Sequence, residues 1–438
     1  MKIKDFVNRD LKRFSRYDTE RSIPHLFDGL KTSQRKILRT ALKQGFVLIK
    51  CNQLGTKAAE QNVYHHSEDS LINTVIGMAR DFPGSNNVPY LQKDGQFGNI
   101  LSPDSSSPRY ISAKLHENAA NLFKPEDEPI LHHQWEEGRQ IEPEFYLPPV
   151  PMILVNGGDG RGTGFACKIL PHSYVDVAQA TAECFLTGKI TKRLTPAFEG
   201  FKGTITRAHD DQIIMVGCYD IENANTIRIT ELPIKWTQDK YKLHLNKLIA
   251  DKKIKSYTNR STEDGWDFEI KVPREVTKLS PERIRNMFKL VEKRTQTLVA
   301  WTDGIVPEIF NSPEAMIERF CEMRSPFYEK RKQSMLDIEN HKFHWAKAKI
   351  SFIDYWNEHA DVVRQNNKAD IIKHVSAFLP KLTVEQVEKL VSLPIYSLTA
   401  ERRAQLLKEA EDIHTRICEI ENLTTSKMWR QHLVGKSC

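Results

Sequence analysis

A tyrosine that directly follows an arginine is the residue pair in this sequence best suited to phosphate chemistry. Tyr110 and Arg109 stand in the segment Ser107-Pro108-Arg109-Tyr110-Ile111. A phenol with a pKa of about 10 is mostly protonated at neutral pH, so it needs a base or a cationic neighbour to act as a nucleophile. An adjacent guanidinium lowers the pKa of a neighbouring acid and stabilises the charge of a phosphoryl group. Without its neighbours, such a tyrosine is more often a half-buried amphipathic side chain.

The same sequence contains neither a clear metal motif nor a clear nucleotide motif. Phosphoryl transfer commonly uses Mg²⁺ held by clustered carboxylates. Asp210-Asp211 is typical of a turn, and neither a Glu-Gly-Asp-Ser nor an Asp-x-Asp segment occurs. The glycine-rich run 157–164 is not followed by Lys-Ser/Thr and fits no GxGxxG register. We therefore expect this chain to hold neither the metal nor ATP, so that a partner must supply both.

Two short helices are predicted upstream of the tyrosine. The first runs from Ser33 to Gln44 with apolar residues at helical spacing and ends at Gly45, and the second covers about 52–62. Such a pair, with Gln53 and Lys57 on the second helix, is typical of a helix-turn-helix DNA reader, although many helical cores share the pattern.

The pattern of predicted secondary structure changes twice in the rest of the chain. Residues from about 148 to 272 contain short alternating or apolar runs between turn signals, which predict a separate α/β domain. Ser325-Pro326, an N-cap followed by proline, predicts the start of a long helix. Its antiparallel partner is predicted near the carboxyl end, and Thr383 and Gln386 form a capping box between the two. The apolar faces of the two long helices are Leu336, Phe343, Ala346, Ile350 and Ile353, and Leu406, Ala410, Ile413, Ile417 and Ile420.

Length and composition set the broad class. A chain of 438 residues suggests about three domains. No apolar run is long enough to cross a membrane, the amino terminus lacks the pattern of a secretory signal, and the seven cysteines are scattered singly. We therefore expect a cytoplasmic protein. The net charge of +7 is compatible with a polyanionic partner, although many proteins without one carry such a charge.

Several motifs, in order along the chain, resemble the breakage-reunion part of type IIA DNA topoisomerases. This family includes the gyrase A subunit, the homologous part of eukaryotic topoisomerase II and the medium subunit of T-even-type phage topoisomerases. The first motifs are Arg21-Ser22-Ile23-Pro24, Asp28-Gly29-Leu30-Lys31, Tyr64-His65-His66-Ser67-Glu68, Asp94-Gly95-Gln96-Phe97-Gly98 and Ser107-Pro108-Arg109-Tyr110-Ile111. Segments in 153–169, 200–204, 230–233 and 393–399 resemble later parts of the family. The short chain is most similar in form to the phage protein.

The resemblance implies a multi-domain α+β fold. It predicts an amino-terminal arm and a winged-helix (CAP-like) DNA-cleavage domain at 1–145, and an α/β tower or shoulder domain at 146–322. An antiparallel coiled coil with a small helical dimerisation gate is expected at 323–438.

The resemblance also implies a reaction and its residues. Tyr110 attacks a DNA phosphorus, both strands are broken through 5′-phosphotyrosyl links, a second duplex passes, and the break is resealed. The enzyme is expected to relax and decatenate DNA. The catalytic residues carried over from the family are Tyr110, Arg109, Arg35, His66, Arg21 and Lys31.

Further residues are implied to contact DNA. Ile169 falls where the family places an isoleucine that wedges between base pairs and kinks the duplex. Arg161 replaces a small or aliphatic residue, and it either contacts a DNA phosphate or faces solvent. The DNA-binding set is Ile169, Lys168, Arg161, Lys57 and Gln53.

The partners implied are double-stranded DNA, a second copy of the chain, and a separate subunit that binds ATP and Mg²⁺, in an A2B2 assembly. The expected location is the bacterial or phage-infected cytoplasm. A DNA-bending scaffold that has lost cleavage is the main alternative, and the intact Arg109-Tyr110 pair argues against it. A tyrosine recombinase is a remoter alternative, because those enzymes lack the Gly-Gln-Phe-Gly and Asn-Gly motifs found here.

Overall fold

The computed structural model describes residues 3–359 and 366–434. They fall into two compact units, Met1–Ser325 with Trp429–Cys438, and Pro326–Met428. The predicted division of the first unit between residues 145 and 146 stays a prediction. The helices are α1 Ile3–Phe6, α2 Lys12–Ser22, α3 Thr32–Gln44, α4 Cys51–Gln61, α5 Glu68–Ala79, α6 Glu117–Leu122, α7 Met152–Asn156, α8 Tyr174–Thr187, α9 Gln238–Ala250, α10 Pro281–Met287, α11 Pro313–Glu358, α12 Lys368–Phe378, α13 Val384–Val391, α14 Ala400–Glu421 and α15 Thr425–Val434.

A π-helical segment, Val7–Leu11, joins α1 to α2. Short 3₁₀ helices occur at Pro125–Ile130, Val276–Lys278 and Ile395–Leu398. The strands are β1 Ile49–Lys50, β2 Leu91–Asp94, β3 Ser112–Leu115, β4 His133–Glu136, β5 Arg139–Pro143, β6 Gly158–Gly162, β7 Phe165–Ile169, β8 Thr204–Arg207, β9 Gln212–Val216, β10 Tyr219–Asn223, β11 Thr226–Ile229, β12 Ser256–Asn259, β13 Phe268–Lys271, β14 Val291–Thr295, β15 Val299–Ala300 and β16 Glu308–Ile309.

The two predicted helices near the amino end are confirmed. Helix α3 ends at Gly45, whose φ of 67° suits a glycine, and α4 follows the short strand β1. Strands β1, β3 and β2 form an antiparallel sheet with β3 in the centre. Because β3 begins two residues after Tyr110, this sheet fixes the chain on the carboxyl side of the tyrosine.

The predicted β-rich region supplies most strands of two larger antiparallel sheets, and β14 lies beyond it at Val291–Thr295. One has the strand order β10-β11-β13-β12, and the other has the order β14-β9-β8. In the first sheet the inward residues of β11 and β13 are fully buried and share a core with Tyr241 and Leu245 of α9 and Ile284 of α10. Buried residues alternate with partly exposed ones along β13 and at the end of β11, which explains why the sequence pattern was recognisable.

The predicted start of the long helix at Ser325-Pro326 is wrong. Helix α11 begins at Pro313, and Pro326 lies inside it. The Ser312 hydroxyl accepts the N–H of Ala315 at 3.1 Å, so Ser312-Pro313 is the pair that caps this helix. An interior proline costs about 3 kcal/mol. Burial of the apolar side chains in the preceding turns, Met316, Ile317 and Phe320, outweighs that cost.

The second unit contains the predicted antiparallel helix pair. Arg416 of α14 bonds Glu339 of α11 at 3.2 Å, and Arg403 bonds Asp354 at 2.6 Å. Since a higher number on one helix meets a lower number on the other, the two helices run in opposite directions. The capping box of Thr383 is present at the start of α13. The buried residues that α11 and α14 contribute to this core are Ala346, Ala348, Ile350, Phe352, Ile353, Tyr355, Leu406 and Ala410.

The cysteines are reduced wherever the structure describes them. The six cysteines within the described ranges are free thiols, and Cys438 lies outside those ranges. None of the helices in these ranges is both long and apolar enough to span a bilayer.

Candidate active site

Tyr110 lies on an exposed turn over the start of α4. Its backbone N–H donates to the Ser107 carbonyl at 2.9 Å, and the residue is 72% exposed. The first two N–H groups of α4, from Cys51 and Asn52, donate to the carbonyls of Ile111 and Pro108 at 3.0 and 3.4 Å. The turn is thus anchored to a helix N-terminus, where the unpaired N–H groups carry partial positive charge.

Two cationic side chains flank this turn. Arg109 is exposed beside the tyrosine, and the Lys50 ammonium donates to the Tyr110 carbonyl at 3.2 Å. Lys50 could not be found from the sequence, because 60 residues separate it from Tyr110 and no local pattern links them. An exposed phenol among cations is suited to approach a phosphate group.

The Gly-Gln-Phe-Gly motif supports the chain that leads to the tyrosine. Gly98 has a φ of 91°, and a Cβ there would lie 2.5 Å from the Pro103 carbonyl oxygen. The N–H of Ser106 donates to the Gln96 carbonyl at 3.0 Å. Only glycine permits this close approach, so the motif shapes the loop that precedes Arg109.

Arg21 and His66 belong to a second group of predicted residues. Tyr17 and Arg21 are four residues apart in α2, and the Tyr17 hydroxyl lies 3.1 Å from the His66 Nε2. The pKa of His66 is lowered mainly by desolvation, and the charges of Arg21 and His65 lower it further. His66 is therefore neutral at neutral pH and can hydrogen-bond through either ring nitrogen. Tyr17 was not predicted as a site residue, because its contact with His66 joins residues 49 apart in sequence.

The glycine-rich run forms the β6–β7 hairpin and packs against α2. A Cβ on Gly160 would lie 2.1 Å from the Ser22 carbonyl oxygen, and its third neighbour is the Lys31 side chain at 3.5 Å. Thr163 donates from both its N–H and its hydroxyl to Asp18, at 2.7 and 2.8 Å. These glycines bring the hairpin against the helix that carries Arg21, and they form a strand where a phosphate-binding loop would need a turn.

Arg35 is buried near the start of α3 and pairs with Asp28, and its expected place beside the scissile phosphate stays a prediction. Its Nε donates to the Asp28 carboxylate at 3.0 Å, and its Nη2 donates to the Leu30 carbonyl at 2.7 Å. The side chains of Arg35 and Asp28 are 6% and 0% exposed. Burial raises the pKa of Asp28, although Arg35 opposes this effect. The guanidinium holds the loop before α3, so two of its three nitrogens are already engaged.

A cavity of about 730 Å³ lies in the first unit beside the second group. It is lined by side chains that include Tyr17, Arg21, Arg35, His65 and His66. Arg109 and Tyr110 are not among the residues that line it. The described part of the chain thus holds the predicted catalytic residues in two groups: the exposed tyrosine turn, and this cavity with the neighbouring Lys31.

The predicted DNA-binding residues are partly exposed. Gln53 is exposed on α4, and Lys57 is half-buried and donates to the Gln44 side chain. On the β6–β7 hairpin, Arg161 and Lys168 are exposed. Ile169 is 4% exposed in this structure, and its expected role as a wedge between base pairs stays a prediction. Strand alternation explains its burial, because Lys168 points outward and its neighbour must point into the core.

Potential metal ligands are dispersed over the first and second units. Within residues 3–359 and 366–434, no three histidine, cysteine, aspartate or glutamate side chains form a group that could hold a metal ion. The expectation that a partner holds Mg²⁺ stays a prediction.

Similarity to known proteins gives the class and then the family. A model for the A subunit of DNA gyrase/topoisomerase IV matches residues 21–434. The chain is similar to DNA topoisomerase 2 of Plasmodium falciparum, with 33% identity over 97% of this chain, and to DNA topoisomerase 2-alpha of Gallus gallus, with 31% identity over 98%. These likenesses define a type IIA topoisomerase breakage-reunion core. The chain belongs to the family of DNA gyrase and topoisomerase IV A subunits.

The fold has a solved counterpart. A crystal structure of the DNA-binding, cleavage and re-ligation domain of Plasmodium falciparum topoisomerase II matches with a TM-score of 0.90 and 31% identity. The match covers 98% of this chain and 63% of that chain. The chain spans about a third of the length of the two curated relatives, 33% and 30% respectively.

Proposed function

We propose that this chain breaks and reseals both strands of duplex DNA through Tyr110. The observation that carries the proposal is the position of Tyr110, 72% exposed on a turn anchored to the N-terminus of α4. An exposed tyrosine in this setting buries little apolar surface, so a packing role explains its position poorly. Membership of the gyrase and topoisomerase IV family supports the same conclusion.

The proposed chemistry is an exchange of one phosphodiester for another. The Tyr110 oxygen forms a bond to the DNA phosphorus as the bond to the 3′ oxygen breaks, which leaves a 5′-phosphotyrosyl ester and a free 3′ hydroxyl. The phenol proton goes to a base or water, the departing 3′ oxygen takes up a proton from water, and the reverse reaction returns both protons. Because one ester replaces another, resealing needs no external energy. Arg109 stabilises the charge on the phosphoryl oxygens, and Lys50 adds positive potential beside the turn.

The second group of residues is proposed to bind the DNA backbone near the break. Arg21 and Lys31 provide positive charge, and the neutral His66 donates or accepts a hydrogen bond. Tyr17 orients the His66 ring through the 3.1 Å contact. Arg35 acts indirectly by fixing the loop that carries Lys31.

DNA recognition is proposed to rest on shape and salt. Gln53 and Lys57 of α4 act as the reading helix of a winged-helix domain, and Lys168 and Arg161 contact phosphates from the hairpin. Ile169 would enter the duplex only after the hairpin moves, since it is 4% exposed. A bent duplex then contacts more basic surface, which offsets the energy of unstacking.

The wider assembly is also a proposal. The tower domain and the coiled coil with its dimerisation gate complete the fold, and two copies of the chain pair through that gate. Mg²⁺ and ATP are proposed to be held by a separate subunit in an A2B2 enzyme of the phage type, working in the cytoplasm of a bacterial or phage-infected cell. That enzyme relaxes and decatenates DNA by passing one duplex through another.

A plasmid assay tests this function. The complete enzyme that contains this chain, with its ATPase and metal-binding domains, is expected to relax supercoiled DNA and separate catenated circles. Tyr110→Phe is expected to abolish both reactions while binding DNA with unchanged affinity, because only the attacking oxygen is removed. Relaxation at the wild-type rate by Tyr110→Phe would refute the proposal. Loss of DNA binding in that variant would assign the tyrosine to recognition.

A further inference from the structure

Arg80 bridges two sides of the loop that leads to the tyrosine turn. It follows the last residue of α5 and is half-buried. Its Nε donates to the Phe97 carbonyl at 3.0 Å, and its Nη2 donates to the Pro103 carbonyl at 2.6 Å. One planar guanidinium therefore ties together two backbone segments that enter and leave the same loop.

The backbone of Arg80 is held in place by Asn86. The Asn86 amide donates to the carbonyls of Arg80 and Gly77, both at 2.8 Å, which holds the end of α5. The Arg80 Cζ lies 5.9 Å from the Phe82 ring centre. The fixed backbone of Arg80 and the contact with the Phe82 ring restrict where the guanidinium can lie. Its two hydrogen bonds therefore hold the carbonyls of Phe97 and Pro103 in defined positions.

The bridged segment leads directly to the reactive pair. Ser106 bonds back to Gln96 at 3.0 Å, and the Tyr110 N–H bonds to Ser107 at 2.9 Å. Because these hydrogen bonds restrain the short segment after Pro103, a shift of the Pro103 carbonyl should also displace Arg109 and Tyr110. Small displacements of a nucleophile slow reactions strongly, since a misplacement of about 1 Å can cost roughly 100-fold in rate.

We propose that Arg80 is a positioning residue for DNA cleavage, because its guanidinium bridges the Phe97 and Pro103 carbonyls and so sets the place of the Arg109-Tyr110 turn. The inference rests on the proposed function of Tyr110. Arg80 acts through the main chain, and both groups that it bonds are backbone carbonyls.

The test separates rate from binding in the complete enzyme. Arg80→Ala is expected to slow single-turnover cleavage by about 10- to 100-fold, with the Kd for the same duplex changed less than about twofold. Arg80→Lys can reach one carbonyl at a time and is expected to recover part of the rate. Unchanged thermal melting shows that each variant folds. Arg283→Ala removes the same charge from an exposed position on α10 and serves as the control.

Two results would overturn the proposal. One is cleavage by Arg80→Ala at the wild-type rate. The other is a loss of DNA affinity that equals the loss of rate, which would make Arg80 a direct DNA contact. Hydrogen exchange of the backbone around residues 97–107, measured in the Tyr110→Phe background, tests the bridge without cleavage. Faster exchange on Arg80→Ala supports the bridge, even where the role of Tyr110 itself proves wrong, and unchanged exchange contradicts it.

Discussion

Replacing Arg35 by alanine is expected to lower the stability of the first unit strongly and the rate of DNA cleavage only weakly. Asp28 is fully buried and accepts hydrogen bonds from Arg35, from the N–H of Leu30 at 2.9 Å, and from the N–H of Tyr146 at 3.0 Å. Without the guanidinium, a buried carboxylate loses its cation and the Leu30 carbonyl loses a donor. Removing one partner of a buried ion pair typically costs about 3–5 kcal/mol.

The expected magnitude lies at the lower end of this range. Two backbone N–H groups still bond Asp28 after the change, so we expect a loss of about 3 kcal/mol. At roughly 2–4 °C per kcal/mol for a large domain, the melting temperature should fall by about 6–12 °C. The double variant Asp28→Asn, Arg35→Ala removes the buried charge together with its partner. It should therefore be less destabilised than the sum of the two single changes, by about 1–3 kcal/mol.

Urea unfolding of the four proteins measures this cycle. Arg21→Ala is the matched control, since Arg21 lines the same cavity but is only half-buried. It should melt as the wild type does and yet cleave DNA more slowly. An Arg35→Ala protein with unchanged stability and lost cleavage would refute the structural assignment of Arg35 and return it to the reacting site.

Three other outcomes are expected. Burial lowers the pKa of His172 to about 4 from 6.5, so its contribution to stability is complete above pH 6.5 and is lost as the pH falls toward 4. The loss is roughly 3 kcal/mol and should be absent in His172→Gln, as urea melts at two pH values would show. Gly160→Ala should displace α2 through the clash with Ser22 and cost about 1–3 kcal/mol in a thermal melt, whereas Gly77→Ala, with open space around its Cβ, should not. Lys168→Ala should reduce the slope of log affinity for DNA against log salt concentration by the amount expected for about one phosphate contact. An unchanged slope would show that Lys168 does not contact DNA.

The sequence predicted those elements whose signals are local. The apolar spacing of α3 and its terminal Gly45 sufficed for that helix, and the capping box of Thr383 sufficed for the start of α13. The start of α11 was misplaced because two Ser-Pro pairs compete. The burial that decides between them depends on residues far away in sequence.

The site was predictable by residue type and only partly by position. The resemblance identified Arg35 and Ile169 as site residues. It did not show that Arg35 pairs with Asp28 or that Ile169 is buried in the β6–β7 hairpin. Lys50 and Tyr17 were missed because their partners lie 60 and 49 residues away. Such pairs are made by tertiary packing, for which a single sequence contains no periodic signal.

Detection of a covalent link between DNA and Tyr110 tests whether this tyrosine is the nucleophile. The complete enzyme is incubated with end-labelled duplex DNA and Mg²⁺ or Ca²⁺, denatured, and analysed for label attached to this chain. We expect label on a peptide that contains Tyr110, with none on Tyr110→Phe and reduced amounts on Arg109→Ala. Label that persists on Tyr110→Phe, or that never forms under these trapping conditions while DNA still binds, would show that Tyr110 is not the nucleophile.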